Sequence, residues 1–173
     1  MARAVTIDEG NIISGLYDIS LGATALGAVE GDVTVSREAD TIRFKSAQSV
    51  GTLATKESDV RYYIRCDLGE ATLTNLYKAW NQPVATLGGG GSSLSIEHTP
   101  GSELAQAALT VVGPAPGTAL KNTWTFDKVD SMGVSEHKFT VNGFTMIPVQ
   151  FEALAEVGAT GVTTWGCVVE AAE

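Results

Sequence analysis

Two stretches of strict alternation, held apart by a long polar segment, constrain this chain more than any other feature. In Asp32-Val-Thr-Val-Ser-Arg-Glu38, Val33 and Val35 fall on one side, and Asp32, Thr34, Ser36 and Glu38 on the other. Val60, Tyr62, Ile64, Cys66 and Leu68 alternate in the same way against Arg61, Tyr63, Arg65 and Asp67. Period-two patterning places one face of a strand on a core and the other in water. Between the two stretches lies an inter-strand arm, about residues 39–59, with little regular pattern and only sparse apolar residues at Phe44, Val50 and Leu53. A connection of that length inside a compact domain is either functional or unstructured. Folded back on itself as a hairpin, it projects roughly 30 Å at about 3.3 Å per residue, far enough to reach a neighbouring subunit.

A helix is expected next, over about residues 70–80. Leu73, Leu76, Tyr77 and Trp80 fall at the spacing of one apolar stripe, over about three turns. Glu70 suits the positive end of such a helix, and Pro83 stops it. The stripe needs a sheet to cover. Before the first strand, residues 1–25 read as an extended arm containing a short strand, with Ile12, Ile13, Leu16 and Ile19 scattered among small residues. After the helix, Gly88-Gly-Gly-Gly91-Ser-Ser is a connection. Strands then recur at Ser93 to Glu97, Ala107 to Val112, Thr123 to Val129, Lys138 to Ala153 and Thr163 to Glu170, separated by Gly- and Pro-containing turns. The run from Lys138 to Ala153 changes phase around Asn142-Gly143 and Pro148, which indicates a bulge or bend. Short strands at this spacing indicate a β-sandwich or half-barrel, mainly β, with one flanking helix.

At 173 residues the chain is most simply one domain that can bury a core without metals or disulfides. Charged residues make up only 18%, below the roughly 25% usual for soluble domains, which leaves more surface suited to contact with protein. The net charge of −9 is uneven: residues 1–36 carry −4, residues 37–78 carry +1 and residues 79–173 carry −6. No basic stripe exists to grip phosphate, which argues against a conventional nucleic-acid binder. The same distribution favours docking of the near-neutral central stretch on an acidic neighbour. The first residues contain no apolar stretch of signal-peptide length, and no window approaches a membrane span. Cys66 and Cys167 sit in apolar strand-like runs and are expected as reduced thiols in the cytosol.

No residue set nominates catalysis or a cofactor. His98 and His137 have no Cys or His at ligand spacing. Asp127, Asp130, Gly133 and Glu136 miss the alternate-position ligands of a calcium loop and read as a solvated turn. Gly88 to Ser93 lacks the ending of a phosphate loop, and no Gly-x-Ser-x-Gly elbow occurs. Glu152 and Glu156 stand four apart with nothing to make them an acid–base pair. Neither an enzyme nor a metal site is expected.

Three segments together resemble tail tube proteins of long-tailed bacteriophages. Leu26-Gly-Ala-Val-Glu-Gly-Asp-Val-Thr-Val is similar to the strand before their long loop, and Leu68-Gly-Glu-Ala-Thr-Leu-Thr-Asn-Leu-Tyr-Lys-Ala to their strand-to-helix junction. Phe144-Thr-Met-Ile-Pro-Val-Gln-Phe-Glu-Ala-Leu is similar to their late strand. The likeness spans roughly residues 26–80 and 138–170 and rests on the order of elements. It extends to the type VI secretion and gene-transfer-agent tube proteins.

The resemblance implies a single tail-tube domain over residues 1–173 that forms homohexameric rings. Each ring lends strands to a continuous inner barrel, and the rings stack into a hollow tube. Other tail proteins (tip or initiator, tape measure, terminator) would be partners, and DNA would pass through the lumen without specific binding. The location would be the virion tail, assembled in the host cytoplasm, with no membrane. Asp32, Thr34, Ser36, Glu38, Arg61, Tyr63, Arg65 and Asp67 would be lumen-facing, or form an ordinary solvated sheet face, with Arg61 and Arg65 paired to Asp32, Glu38 or Asp67 or turned to a subunit seam. Phe44, Lys45, Gln48, Val50, Leu53 and Lys56 would form the ring-stacking contact, unless the arm stands free. The alternative is a carbohydrate-binding β-sandwich with Trp124, Trp165 or Tyr63 as stacking platforms, although both tryptophans alternate as core residues would.

Overall fold

The computed structural model describes residues 18–27, 29–45, 52–80, 82, 93–96, 106–115, 120–132, 146–157 and 162–172. The chain is mainly β with one helix, and its principal sheet has eight antiparallel strands and does not close into a barrel. Its strands are β1 (Asp18–Leu21), β2 (Thr24–Ala25), β3 (Val29–Lys45), β4 (Thr52–Leu68), β5 (Ala107–Pro114), β6 (Leu120–Ser131), β7 (Ile147–Ala153) and β10 (Gly166–Ala172). A separate small ribbon pairs β8 (Glu156–Val157) with β9 (Thr163–Thr164).

Strand β6 is the hinge of the architecture. One of its edges pairs with β5 from Lys121 to Val129. Its other edge pairs first with β10, from Leu120 to Phe126, and then with β7, from Val129 to Ser131. The sheet therefore divides into two branches. On one branch β10, β6, β5, β1 and β2 lie side by side; on the other, β7, β4 and β3.

The core fills the space these branches enclose. Paired residues of antiparallel strands share a face, so Ile64 with Phe151, Cys66 with Val149 and Leu68 with Ile147 form an apolar layer. It meets Leu26, Leu109, Phe126 and Val129, all buried. The alternation expected for residues 60–68 is present on the core side. On the polar side Arg65 and Asp67 are exposed, but Tyr63 is not: only 7% of it reaches solvent. Its cross-strand neighbours Ser36 and Glu152 flank it, and Arg61 hydrogen-bonds its side chain. A long ring lying between the side chains of Glu152 and Arg61 is covered even on a polar face.

The helix α1 runs from Leu73 to Ala79, two turns rather than the expected three. Thr72 is the N-cap, its side chain accepting from the Asn75 N–H at 3.1 Å, so Glu70 lies before the helix and not in its first turn. Leu76, Tyr77 and Ala79 are buried, and α1 packs on β7. Its carboxyl end is held by Ser131 Oγ, which donates to the Ala79 carbonyl.

Three strand expectations change. Residues 93–96 contain a single bridge residue, Leu94, and no strand, and Ile96 beside it is 71% exposed. The expected strand from Thr163 to Glu170 is broken at Trp165, because Gly166 takes φ +151° where the chain crosses from β9 into β10. The polar segment 39–59 is not patternless loop where it is described: residues 39–45 and 52–59 continue β3 and β4 as a paired ladder. Several expectations fall outside the described residues. These are the extended segment before Asp18, His98, His137, Gly133, Glu136, Gln48, Val50, the glycine run 88–91, Pro83, and the first half of the Lys138 to Ala153 strand.

Candidate assembly surfaces

The hairpin β3–β4 has a base that belongs to the sheet and an arm that does not. β7 covers the edge of β4 only from Tyr62 to Leu68. Beyond Arg37, which stands opposite Tyr62, the two strands pair only with each other among the described residues. From Glu38 to Lys45 this ribbon extends about 25 Å at about 3.3 Å per residue. Every described side chain from Asp40 to Phe44 and from Thr55 to Asp59 is exposed. An isolated two-stranded ribbon is marginal in water, so this one is suited to being completed by something else.

Three irregularities shape the hairpin. Register shifts fall between Glu30 and Thr34, between Asp40 and Thr41, and between Phe44 and Lys45. At the first, Gly31 has φ +77°, the left-handed conformation a bulge needs and that glycine adopts without penalty. At the second, Ser58 is the extra residue, and its Oγ donates to the Asp40 carbonyl at 3.2 Å. Bulges raise local twist and bend the bulged strand, and the second one lies at the root of the arm.

Ion pairs brace the root. Arg37 bonds Glu57 across the ribbon at 2.5 Å, and Arg61 bonds Asp59 two residues away on its own strand. Arg61 thus takes Asp59, not the expected Asp32, Glu38 or Asp67. Hydrogen bonds to Glu57 and then to Tyr62 raise the pKa of Arg37; those to Asp59 and then to Tyr63 raise that of Arg61. Both pairs are exposed and shape the ribbon more than they stabilise it.

The polar face of the base carries the expected lumen candidates. Thr34 pairs with Arg65, Ser36 with Tyr63 and Glu38 with Arg61. Asp32, Thr34, Arg65, Asp67 and Gln150 surround an open depression of about 250 Å³. Ser36 is half-buried, its Oγ donating to the Tyr63 carbonyl at 3.5 Å. Acidic and basic side chains are interspersed here, and Arg65 makes no ion pair among the described residues.

Of the stacking candidates, Phe44 is 48% exposed with the Lys56 ammonium 6.0 Å from its ring centroid. Lys45 pairs with Thr52 in the ladder, and Leu53 is the extra residue at the third register shift. Sequence reasoning missed Ile42, which is 50% exposed and on the same side of β3 as Phe44. Strand periodicity would have found it had the ladder been expected to continue.

Two further features stand open. β3 and β10 each pair on one edge only, with no partner on the other among the described residues. The tryptophans proposed as sugar platforms lie against the core. Trp124 stacks near Phe126 with centroids 6.4 Å apart, and Trp165 sits 5.5 Å from Tyr62; both are half-buried. With Val168 and Cys167 they line a cleft of about 300 Å³.

No protein-family model and no curated protein matches the chain. Solved structures do. A chain of the sheath–tube complex of an extracellular contractile injection system (PVC), in its extended state, matches with a TM-score of 0.50 at 16% identity, covering 91% of this chain and 89% of that one. The fold is therefore one found in such a particle. The sheath/tube terminator of the same system matches at TM-score 0.49 and 15% identity, covering 99% of this chain and 100% of that one. The cap that terminates the anti-feeding prophage tube matches at 0.47 and 10%, covering 100% and 95%.

Proposed function

We propose that the chain is the repeated structural subunit of a hollow tail-type tube, of the kind found in phage tails and contractile injection systems. Copies join side by side into rings, in the hexameric arrangement implied by the resemblance, and the rings stack through the arm. The observation that carries this reading is the paired ribbon beyond Arg37, exposed on both faces and projecting from a sheet whose β3 and β10 edges have no partner among the described residues. Soluble monomers blunt or cover such edges; in a ring each becomes a seam, and the assembly closes what the subunit leaves open.

The fold shared with a chain of a sheath–tube complex supports the same reading. The base of the hairpin, with Asp32, Thr34, Glu38, Arg65 and Asp67 exposed, is the surface assigned to the lumen. Its interspersed charges and the chain's net −9 suit passage of DNA without retention, since phosphate is held by clustered cations. The subunit's role is non-enzymatic, and its other partners are the tip, tape-measure and terminator components of the particle.

Negative-stain electron microscopy of the purified protein across a concentration series tests the proposal. Rings or hollow tubes are expected. Dispersed monomer at every concentration, with crowding agent and with tail-tip components added, would overturn it.

A further inference from the structure

We propose that the Ile42–Phe44 side of the arm seats in the aromatic cleft between β4, β6 and β10 of a second copy of this chain. The inference rests on the tube reading and assigns the surface that receives the arm.

Two apolar side chains standing two residues apart on an exposed strand face, both about half exposed, leave apolar surface in water in the isolated chain. Ala54 stands opposite Phe44 and Lys56 opposite Ile42, so this side of the ribbon is apolar at its centre and cationic beside it. Residues 41–56 contain Arg43, Lys45 and Lys56 and no acidic residue.

The cleft is the matching surface. Tyr62, Trp124 and Trp165 wall it, and Cys167 and the 51%-exposed Val168 form its β10 side. Glu170 stands two residues beyond Val168 on the same side of β10; of the other carboxylates in residues 146–172, Glu156 is held by Lys128 and Glu152 lies beside Tyr63 on the polar face. A cationic tip with an apolar centre is thus matched by an aromatic hollow with one carboxylate, Glu170, beside its β10 wall. An aromatic ring entering other aromatic rings gains edge-to-face contact beyond its buried area, and anchors of this type dominate interfaces.

The chain's own cleft is out of reach. Tyr62 stands opposite Arg37 at the root of the arm, and Phe44 lies seven residues farther along β3, about 23 Å away at about 3.3 Å per residue. The ribbon therefore carries its apolar side away from its own Tyr62 and towards another subunit. The contact is heterologous, so each copy both gives an arm and offers a cleft, and the series does not close.

Cys167 makes the test direct. It is exposed on the cleft's rim, whereas Cys66 is buried. Ala54→Cys places a second exposed thiol opposite Phe44 while leaving Ile42 and Phe44 in place. Treated with a short bismaleimide in the assembled state, this variant is expected to give a ladder of covalent oligomers that disappears when Cys167→Ser is added. Phe44→Ala is expected to leave the monomer's unfolding curve unchanged and raise the concentration needed for assembly about tenfold or more. Tubes that form from Ala54→Cys but release only monomers after cross-linking would overturn the receptor assignment and leave the tube reading standing. Failure of the unaltered protein to form rings or tubes would overturn both.

Discussion

Asn75 donates its side-chain amide to the carbonyl of Leu26, 49 residues earlier in the chain, at 2.8 Å, and to the carbonyl of Glu70 at 2.8 Å. Tyrosines aside, it is the only buried polar side chain among the described residues, 3% exposed. With this one side chain the helix is tied to the turn that leads from β2 into β3.

Replacing Asn75 with Ala leaves the Leu26 carbonyl buried without a donor, which costs about 1–3 kcal/mol. Urea unfolding of Asn75→Ala should show a lower midpoint with an unchanged slope. Asn75→Asp should not restore stability, because a carboxylate cannot donate to either carbonyl.

Gly166 admits no side chain. A Cβ there would sit 1.9 Å from the Thr125 carbonyl oxygen, and φ is +151°. Because the obstacle is backbone within a strand pair, relief requires β10 to part from β6. Gly166→Ala should lower stability by about 3 kcal/mol. In Gly31, φ is +77° but nothing lies within 4 Å, so Gly31→Ala should cost only about 1 kcal/mol. Thermal unfolding of the two variants side by side checks the ordering.

The two thiols should differ in reactivity. Burial, followed by the neighbouring Asp67 charge, pushes the Cys66 thiol from an ordinary 9.0 up to about 12, while Cys167 is exposed. A thiol reagent at pH 8 should modify one cysteine in the native monomer and two in denaturant. The raised value means that the folded state holds a proton the unfolded state releases. This contribution to stability is complete below about pH 9 and is lost as pH rises towards about 12. Cys66→Ala should flatten that alkaline loss.

Deleting Thr41 to Thr55 should leave a folded monomer. Within the described part of the deleted segment the strands pair only with each other, and the core pairings from Tyr62 to Leu68 stay intact. The variant should keep the unfolding midpoint of the parent within about 1 kcal/mol and fail to form tubes by electron microscopy. Normal tubes would remove the arm from stacking.

Much of the fold is legible because it follows from burial. The alternation at residues 60–68 and the apolar positions of β5 and β7 repeat with the period of a strand, since one face meets the core. The arm was illegible for the converse reason. With neither face buried, residues 39–45 and 52–59 have no need to alternate, and the ladder is held by backbone hydrogen bonds that leave no mark on side-chain pattern. Ile42 was missed with it. The helix is one turn shorter than its apolar stripe implies, because the stripe does not say where the first turn begins; the cap at Thr72 does.

What the sequence by itself determined was the class: mainly strands, one helix, and a long excursion between two of the strands. Those features depend on composition and period, which are local. Tertiary structure alone decided that β6 serves two partners, that Asn75 finds Leu26, that Tyr63 is covered on a polar face, and that Tyr62, Trp124 and Trp165 leave a cleft. Each of these joins residues far apart in the chain, and the free energy that selects them is released only when the two branches of the sheet close on a common core.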